Sequence, residues 1–279
     1  MTEVNEEIAS LKSEVKRLRK SLSELTPSLS VLLKRRGFKI YKKEPSDDLL
    51  IPEREFIDEY YEMLKKYSFR LFLRDAIKHQ PLFTLQQVTR YATKEVTGEY
   101  IKYLAKIGLI VSDNDIYRLK KVPIKSFGET LEWFVAEIFK REFASEAVWG
   151  VKMKRPGIGG DYDLLAKIDG SILYMEIKSS PPKQVYQKEV SAFLDRVYDL
   201  MPEIAIFFMD TELRMKDKMV PMFEDELKIR FSEPPEVNRL ERELFEMQTE
   251  RPKIFIINAK DSIINNIEKV LSVYFRRTE

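Results

Sequence analysis

Cysteine is absent from the 279 residues, and histidine occurs once, at His79. A disulfide framework, a cysteine zinc site, a cysteine nucleophile and a histidine-rich metal centre are thereby excluded, so any catalytic metal must rest on carboxylates. Glycine is sparse, at 9 residues, and no apolar run reaches the 18 residues a membrane span requires. Charge begins at Glu3, so no secretory signal is expected and the expected address is the cytoplasm. Neither sign of charge dominates: 48 Lys and Arg stand against 46 Asp and Glu, which excludes a uniformly polybasic chain. What is present is a 44% hydrophobic content over 33.0 kDa, enough for roughly two compact domains and unlike a disordered composition.

The near-neutral total is a sum of opposites. Residues 1–122 hold 24 basic and 18 acidic side chains, net +6, whereas 123–279 hold 24 and 28, net −4. The first part suits a polyanion. Within it, Val4, Ile8, Leu11, Val15, Leu18, Leu22 and Leu25 alternate at four- and three-residue steps, a heptad seam that Pro27 ends. Ile8, Val15 and Leu22 take a positions and Leu11, Leu18 and Leu25 take d positions. Glu7 and Glu14 at g then face Lys12 and Arg19 at e of a parallel partner. Residues 1–28 are therefore expected to form a homodimeric coiled coil, with packing onto the helix's own domain as the alternative. Residues 29–52 read as a basic linker, in which Lys34, Arg35, Arg36, Lys39, Lys42 and Lys43 occur with no acid among them: a polyanion contact or a solvated connector.

Between residues 53 and 122, amphipathic stripes predict three helices followed by a short hairpin, Leu109 to Val111 and Ile116 to Leu119. The run YIKYLAKIGLI with its small polar turn resembles a winged-helix domain. That resemblance implies a third helix placed in the major groove, with Lys94, Tyr100, Lys102 and Lys106 as DNA-side candidates. Such domains also serve as protein-interaction modules.

Residues 123–279 mix helical and strand patterns. A helix is expected from Gly128 to Phe143, strands at Asp161 to Ile168, Ser171 to Lys178, Ile204 to Met209 and Lys253 to Asn258, and further helices near Val185 to Leu200 and Ser262 to Phe275. Asp169-Gly170 is the preferred centre of a two-residue type I′ turn. A turn of that kind sets Ile168 opposite Ser171, Asp163 opposite Glu176 and Asp161 opposite Lys178, so that carboxylates and a lysine converge at the open end. Acids on otherwise apolar strands repel one another unless a cation neutralises them, which points to Mg²⁺ or Mn²⁺ on oxygen ligands.

The run GDYDLLAKIDGSILYMEIK resembles the PD-(D/E)XK nuclease superfamily, whose restriction-endonuclease-like α/β fold includes archaeal Holliday-junction resolvases. The matching residues are Asp163 and Glu176-Ile177-Lys178, with Gly128 to Glu132 as the upstream G-x-x-x-E; Tyr162 stands where the motif's proline is usual. The resemblance implies a mixed sheet flanked by helices. It also implies a metal held by Glu132, Asp163 and Glu176, and a Lys178 that orients water and stabilises the phosphate, giving 5′-phosphate and 3′-hydroxyl ends. Lys152, Lys154 and Arg155 lead into a glycine-rich loop, Pro156 to Gly160, that would let a phosphate backbone approach, and Gln187 is a further polar candidate facing it. The combined expectation is a dimeric metal-dependent endonuclease on duplex or branched DNA. The alternative is a DNA-binding regulator or architectural protein with an inactive nuclease-like domain. Trp133 and Trp149 are expected in the core, His79 has no expected catalytic role, Asp210 reads as a turn residue, and 211–251 reads as an insertion.

Overall fold

Strands whose odd and even residues are both apolar must be covered on both faces, and the central strands here are of that kind. The computed structural model describes residues 7, 8, 10–15, 17, 18, 21, 26–154 and 160–276. The described residues among 7–21 are helical. After them come helix α1 (Leu29–Arg35), strand β1 (Lys39–Lys42), helices α2 (Ile57–Leu64) and α3 (Tyr67–Lys78), and strand β2 (Phe83–Thr84). The one-turn α4 (Leu85–Val88), α5 (Lys94–Lys106), and the hairpin of β3 (Ile110–Asp113) and β4 (Ile116–Leu119) follow. Next are α6 (Gly128–Glu142), β5 (Glu146–Lys154), β6 (Gly160–Ile168), β7 (Ser171–Lys178), α7 (Gln187–Leu200) and β8 (Ile204–Met209). The remainder is α8 (Met219–Arg230), β9 (Val237–Glu241), β10 (Leu244–Met247), β11 (Lys253–Asn258) and α9 (Ile263–Arg276).

The result is a mixed α/β fold built on an eight-stranded sheet of order β1-β5-β6-β7-β8-β11-β10-β9. Strands β5, β6 and β7 are antiparallel neighbours, β7, β8 and β11 run parallel, and β10 and β9 return antiparallel. Burial alternates with period two, as a pleat requires. Leu164, Ala166, Leu173, Met175, Ile206 and Phe208 point into one core, with α6 and α9. Leu165, Ile172, Tyr174, Ala205 and Phe207 point into the other, with α1, α7 and α8.

Three expectations are corrected and a fourth gains a definite form. Residues 29–52 are not a free linker: Leu29, Leu33 and Phe38 are buried in the second core, and β1 pairs antiparallel with β5 as the sheet's edge. The charged residues that dominate this segment concealed its three apolar anchors. The 211–251 segment, expected as an insertion, takes the form of α8, β9 and β10, which extend both core and sheet. The boundary at 122 separates no cores, because Tyr60, Tyr61, Phe69 and Tyr100 share one cluster with Trp133 and Phe134. The Tyr60 ring stacks 6.2 Å from that of Trp133, and Tyr61 Oη donates to Glu142 at 2.7 Å. Finally, Asp210 is no turn residue at the surface. It is fully buried, accepting from Arg70 Nε at 3.0 Å and pairing with Arg74, both from α3. A charge pair of this kind fixes how the helical unit sits on the sheet.

Over 53–122 the structure has α2, α3, the one-turn α4 and α5, one helix more than the three expected, followed by the expected hairpin, with β2 added to give a three-stranded sheet of order β2-β4-β3. Among the described residues, no helix is long and apolar enough to cross a membrane. The heptad seam falls partly on Val4, Leu22 and Leu25, which lie outside the described residues; Ile8, Leu11, Val15 and Leu18 are described and are exposed, at 43 to 58%.

Candidate active site

Asp169 and Gly170 have φ of 45° and 83°, the paired left-handed conformations of a type I′ turn. The register follows from it: Ile168 faces Ser171, and pairing continues without a slip to Leu164 opposite Met175. Beyond that pair the ladder gives way to a side-chain bond, Ile177 N donating to Asp163 Oδ2 at 2.7 Å. Asp161 departs from expectation. It pairs with Lys152 Nζ at 2.8 Å across β5, and Lys178 turns instead to Glu176 Oε1 at 2.8 Å and Glu189 Oε1 at 3.4 Å. Strand β5 was not foreseen, and it takes Asp161 before β7 can.

Glu176 is 3% exposed and saturated with donors. Oε2 accepts from Tyr174 Oη and from Arg196 Nη2 at 2.7 Å, and Arg196 Nε donates to Tyr174 Oη at 2.7 Å. Burial pushes the Glu176 carboxyl up, but the charges of Lys178 and Arg196 outweigh it and hold the pKa below its ordinary value. Asp163 lacks such relief. Burial, then the charge of Glu176, pushes its pKa up to about 8, against Lys178, the Ile177 N–H and Arg196. Glu132, one turn into α6, is pushed up to about 9 by burial and then by Asp163, Glu129 and Glu176. Burial lowers Lys178, yet Glu176 and Asp163 more than compensate, so its pKa lies above the usual lysine value.

Gly150 makes room for this cluster. It lies in β5 between Trp149 and Val151, which face Leu164 and Tyr162, and so stands beside Asp163. Its φ is +55°, and a methyl group there would lie 2.3 Å from Pro45 Cδ and 3.6 Å from Glu132 Oε2. Only glycine meets both constraints without strain.

The cluster partly fits a metal ion. Among the described residues, no group of three or more His, Cys, Asp and Glu is arranged as a ligand set. Both oxygens of Glu176 are committed to cationic or hydroxyl partners. Asp163 and Glu132 are the carboxyls whose ionised forms lack compensation, and they are the pair whose ionisation a hard cation would relieve.

The nucleic-acid candidates divide. Lys94 and Lys102 are exposed on α5, whereas Tyr100 is only 5% exposed, with Oη 2.8 Å from Ser68 Oγ, and belongs to the core. Lys106 is engaged by Glu59 at 3.0 Å. Gln187 turns inward, Nε2 donating to Met222 O at 2.8 Å and Glu226 Oε1 at 3.1 Å, because α8 packs against the start of α7. Arg36 of the basic run is tied to Met201 O and Glu203 Oε1, each at 2.5 Å. Arg155 and the loop 155–159 lie outside the described residues.

The β1–β5 pairing joins two basic runs that are 110 residues apart in sequence, setting Lys39 opposite Lys154 and Lys42 opposite Lys152. Lys154 Nζ stands 5.4 Å from the Tyr41 ring centre. Sequence reasoning missed Tyr174, Arg196 and Gly150. Tyr174 shares the Glu176 face at a two-residue spacing, a readable signal; Arg196 reaches the site only through the packing of α7.

No family model matches this chain, and no curated protein matches it. Among solved structures it is similar to Can2 from Sulfobacillus thermosulfidooxidans in complex with cyclic tetra-adenylate (cA4), at 18% identity and a TM-score of 0.44 over 65% of this chain and 50% of that one. It is also similar to protein VC1899 from Vibrio cholerae, at 12% identity and a TM-score of 0.46 over 72% of this chain and 56% of that one. The chain thus spans about half the length of each of these two proteins.

Proposed function

We propose that the protein is a metal-dependent nuclease that hydrolyses DNA phosphodiester bonds, with Asp163, Glu132, Glu176 and Lys178 as its reactive groups. The supporting observation is the cluster of partly and fully buried carboxylates in which Asp163 and Glu132 are both pushed up by burial and by like charge. Stability alone gives no reason to keep such a repulsion in a packed sheet. Asp163 and Glu132 would hold Mg²⁺ or Mn²⁺, joined by Glu176 when Lys178 leaves Oε1. Such an ion supplies charge relief at the phosphate and a nucleophilic hydroxide near neutral pH. Lys178, protonated at neutral pH, orients the attacking water and opposes the negative charge that develops on phosphorus. Arg196 and Tyr174 fix the Glu176 carboxylate from behind, the role of outer-shell partners in sites of this kind.

Directly opposed lysines repel across an antiparallel pair. Lys152 of one such pair is met by Asp161, whereas the Lys39–Lys154 pair would be offset by a phosphate backbone, which supports this edge as the DNA-gripping face together with Lys94 and Lys102 of α5. The reaction is tested by the chemistry of its products on duplex, branched and single-stranded DNA and on RNA. Hydrolysis by water leaves 5′-phosphate ends that a ligase rejoins; 2′,3′-cyclic phosphate ends, or cutting confined to RNA, would contradict the assignment. A second reading, a nucleic-acid-binding protein without hydrolysis, draws on the saturation of Glu176 by Lys178 and Arg196.

The reading includes a homodimer through residues 1–28, supported by the exposed apolar positions Ile8, Leu11, Val15 and Leu18 on a helical segment. Light scattering is expected to give about twice 33.0 kDa for the full chain and a single-chain mass after deletion of residues 1–25. A monomeric full chain would contradict it.

A further inference from the structure

Beside the carboxylate cluster, between α3 and the segment that follows β7, lies an open cleft of about 480 Å³. Its walls come from both parts of the molecule: Arg74 and Lys78 of α3 with Arg90 and Tyr91 on one side, Lys125 and Lys183 on the other. Five cationic side chains thus surround it, and Asp75, 8% exposed, is the one acid among the lining residues. Arg74 is spent on Asp210, although its Nε is buried without a partner among the described residues. Lys78, Arg90, Lys125 and Lys183 form no ion pair among the described residues, and the one lining acid, buried Asp75, faces the charges of Lys78 and Arg90 without balancing all four, so the cleft holds an excess of positive charge. That arrangement is electrostatically costly unless an anion enters.

Two further features select the anion. Tyr91 is 44% exposed, and the Arg90 guanidinium lies 5.3 Å from its ring centre, an aromatic and planar cationic pair of the sort on which nucleobases stack. The cleft also opens onto the reactive end of β7. Ser179 and Ser180 of its wall directly follow Lys178, Asp210 N donates to Lys178 O at 2.8 Å, and Phe127 immediately precedes α6, which carries Glu132. A volume of this size admits a group of small-molecule dimensions and excludes a duplex.

We infer that this cleft seats an unpaired nucleotide of a nucleic-acid strand, with phosphates on Arg90, Lys125 and Lys183 and the base against Tyr91, next to the bond to be cut. The inference rests on the nuclease reading for its position and extends it to substrate form: a strand with an unpaired stretch or end. Duplex DNA reaches the lysines of β1 and β5 without entering.

The test is fluorescence anisotropy on the full chain in EDTA, so that binding is measured without cutting. The probes are a labelled single-stranded oligonucleotide and a duplex of the same length, with mononucleotide and inorganic phosphate as competitors. Arg90→Ala combined with Lys183→Ala is expected to weaken single-strand binding about tenfold or more and to make its salt dependence shallower by roughly 1.4 in log–log slope. Tyr91→Ala is expected to weaken it about fivefold or more, the stacking contribution of one base. Duplex affinity stays within about twofold, and melting temperatures stay unchanged because all three side chains are exposed. Unchanged single-strand affinity in these variants, or equal losses for single strand and duplex, would overturn the inference. So would displacement of the strand by inorganic phosphate alone as effectively as by mononucleotide. Since no cleavage is required, a wild type that binds as described but never cuts would sink the nuclease reading and leave the cleft assignment standing.

Discussion

Replacing Asp210 with alanine is expected to destabilise the protein by about 3–5 kcal/mol, the cost of leaving a buried cation without its partner. Arg70 is 1% exposed and would keep only its bonds to Leu64 O and Lys65 O, at 2.6 and 3.1 Å. For a chain of this size the melting temperature falls by about 10 °C. The backbone of residue 210 keeps its bond to Lys178 O and its acceptance from Arg74 in the variant, so the loss is that of the side-chain pairing with Arg70 and Arg74. Arg70→Met combined with Asp210→Leu should recover part of the loss, since an apolar pair removes the desolvation penalty along with the attraction. The pH dependence has a definite sign. Burial raises the Asp210 pKa, but Arg70 and Arg74 outweigh burial and hold it below its ordinary value. Its contribution is therefore present above the unfolded carboxylate pKa and lost as pH falls through the depressed folded one. Urea titrations of wild type and Asp210→Ala should converge at strongly acidic pH. Stabilities within about 1 kcal/mol of each other at neutral pH would contradict the structural role given to this pair.

Asp163→Asn is expected to reduce cleavage by about a thousandfold or more, which corresponds to about 4 kcal/mol of barrier. Its fold should survive, because burial and Glu176 make the ionised carboxyl unfavourable and the amide is isosteric. Lys178→Met should cost about 100- to 1,000-fold, as removal of one fixed charge from a developing transition state does. These two losses have different companions. Mg²⁺ or Mn²⁺ is expected to raise the melting temperature of the wild type; Asp163→Asn is expected to abolish that rise, and Lys178→Met to retain or increase it, because Glu176 Oε1 is then released from its lysine.

Much of the sheet was legible because its signals are local. Asp169-Gly170 fixed a turn, the turn fixed a register, and alternating apolar residues gave β7, β8 and β11 bounds that match the structure: Ser171–Lys178, Ile204–Met209 and Lys253–Asn258. Strand β5 escaped because Gly150 interrupts it and its lysines read as a loop; β1 escaped because four residues amid six basic charges carry little strand signal. The acids Asp163 and Glu176 were visible for the same local reason as the turn. Their surroundings were not. Arg196 meets Glu176 from 20 residues away, and Arg70 meets Asp210 from 140. Nothing in the run before Asp210 announces a partner on α3. Tyr100 misled in the opposite sense, since a tyrosine between lysines on a helix looks like a groove-facing residue until α3 is seen to cover it, with Phe69 at 5.1 Å and Phe72 at 5.6 Å from its ring centre.

The measurement closest to the heart of the account is cleavage of labelled DNA carrying an unpaired stretch by full-length protein in Mg²⁺, in Mn²⁺ and in EDTA, with Asp163→Asn run beside the wild type. The account predicts cutting by the wild type in either metal, none in EDTA, and loss of cutting in the variant despite an unchanged melting curve. Absence of cutting by the wild type in both metals, or equal cutting by wild type and Asp163→Asn, would contradict it.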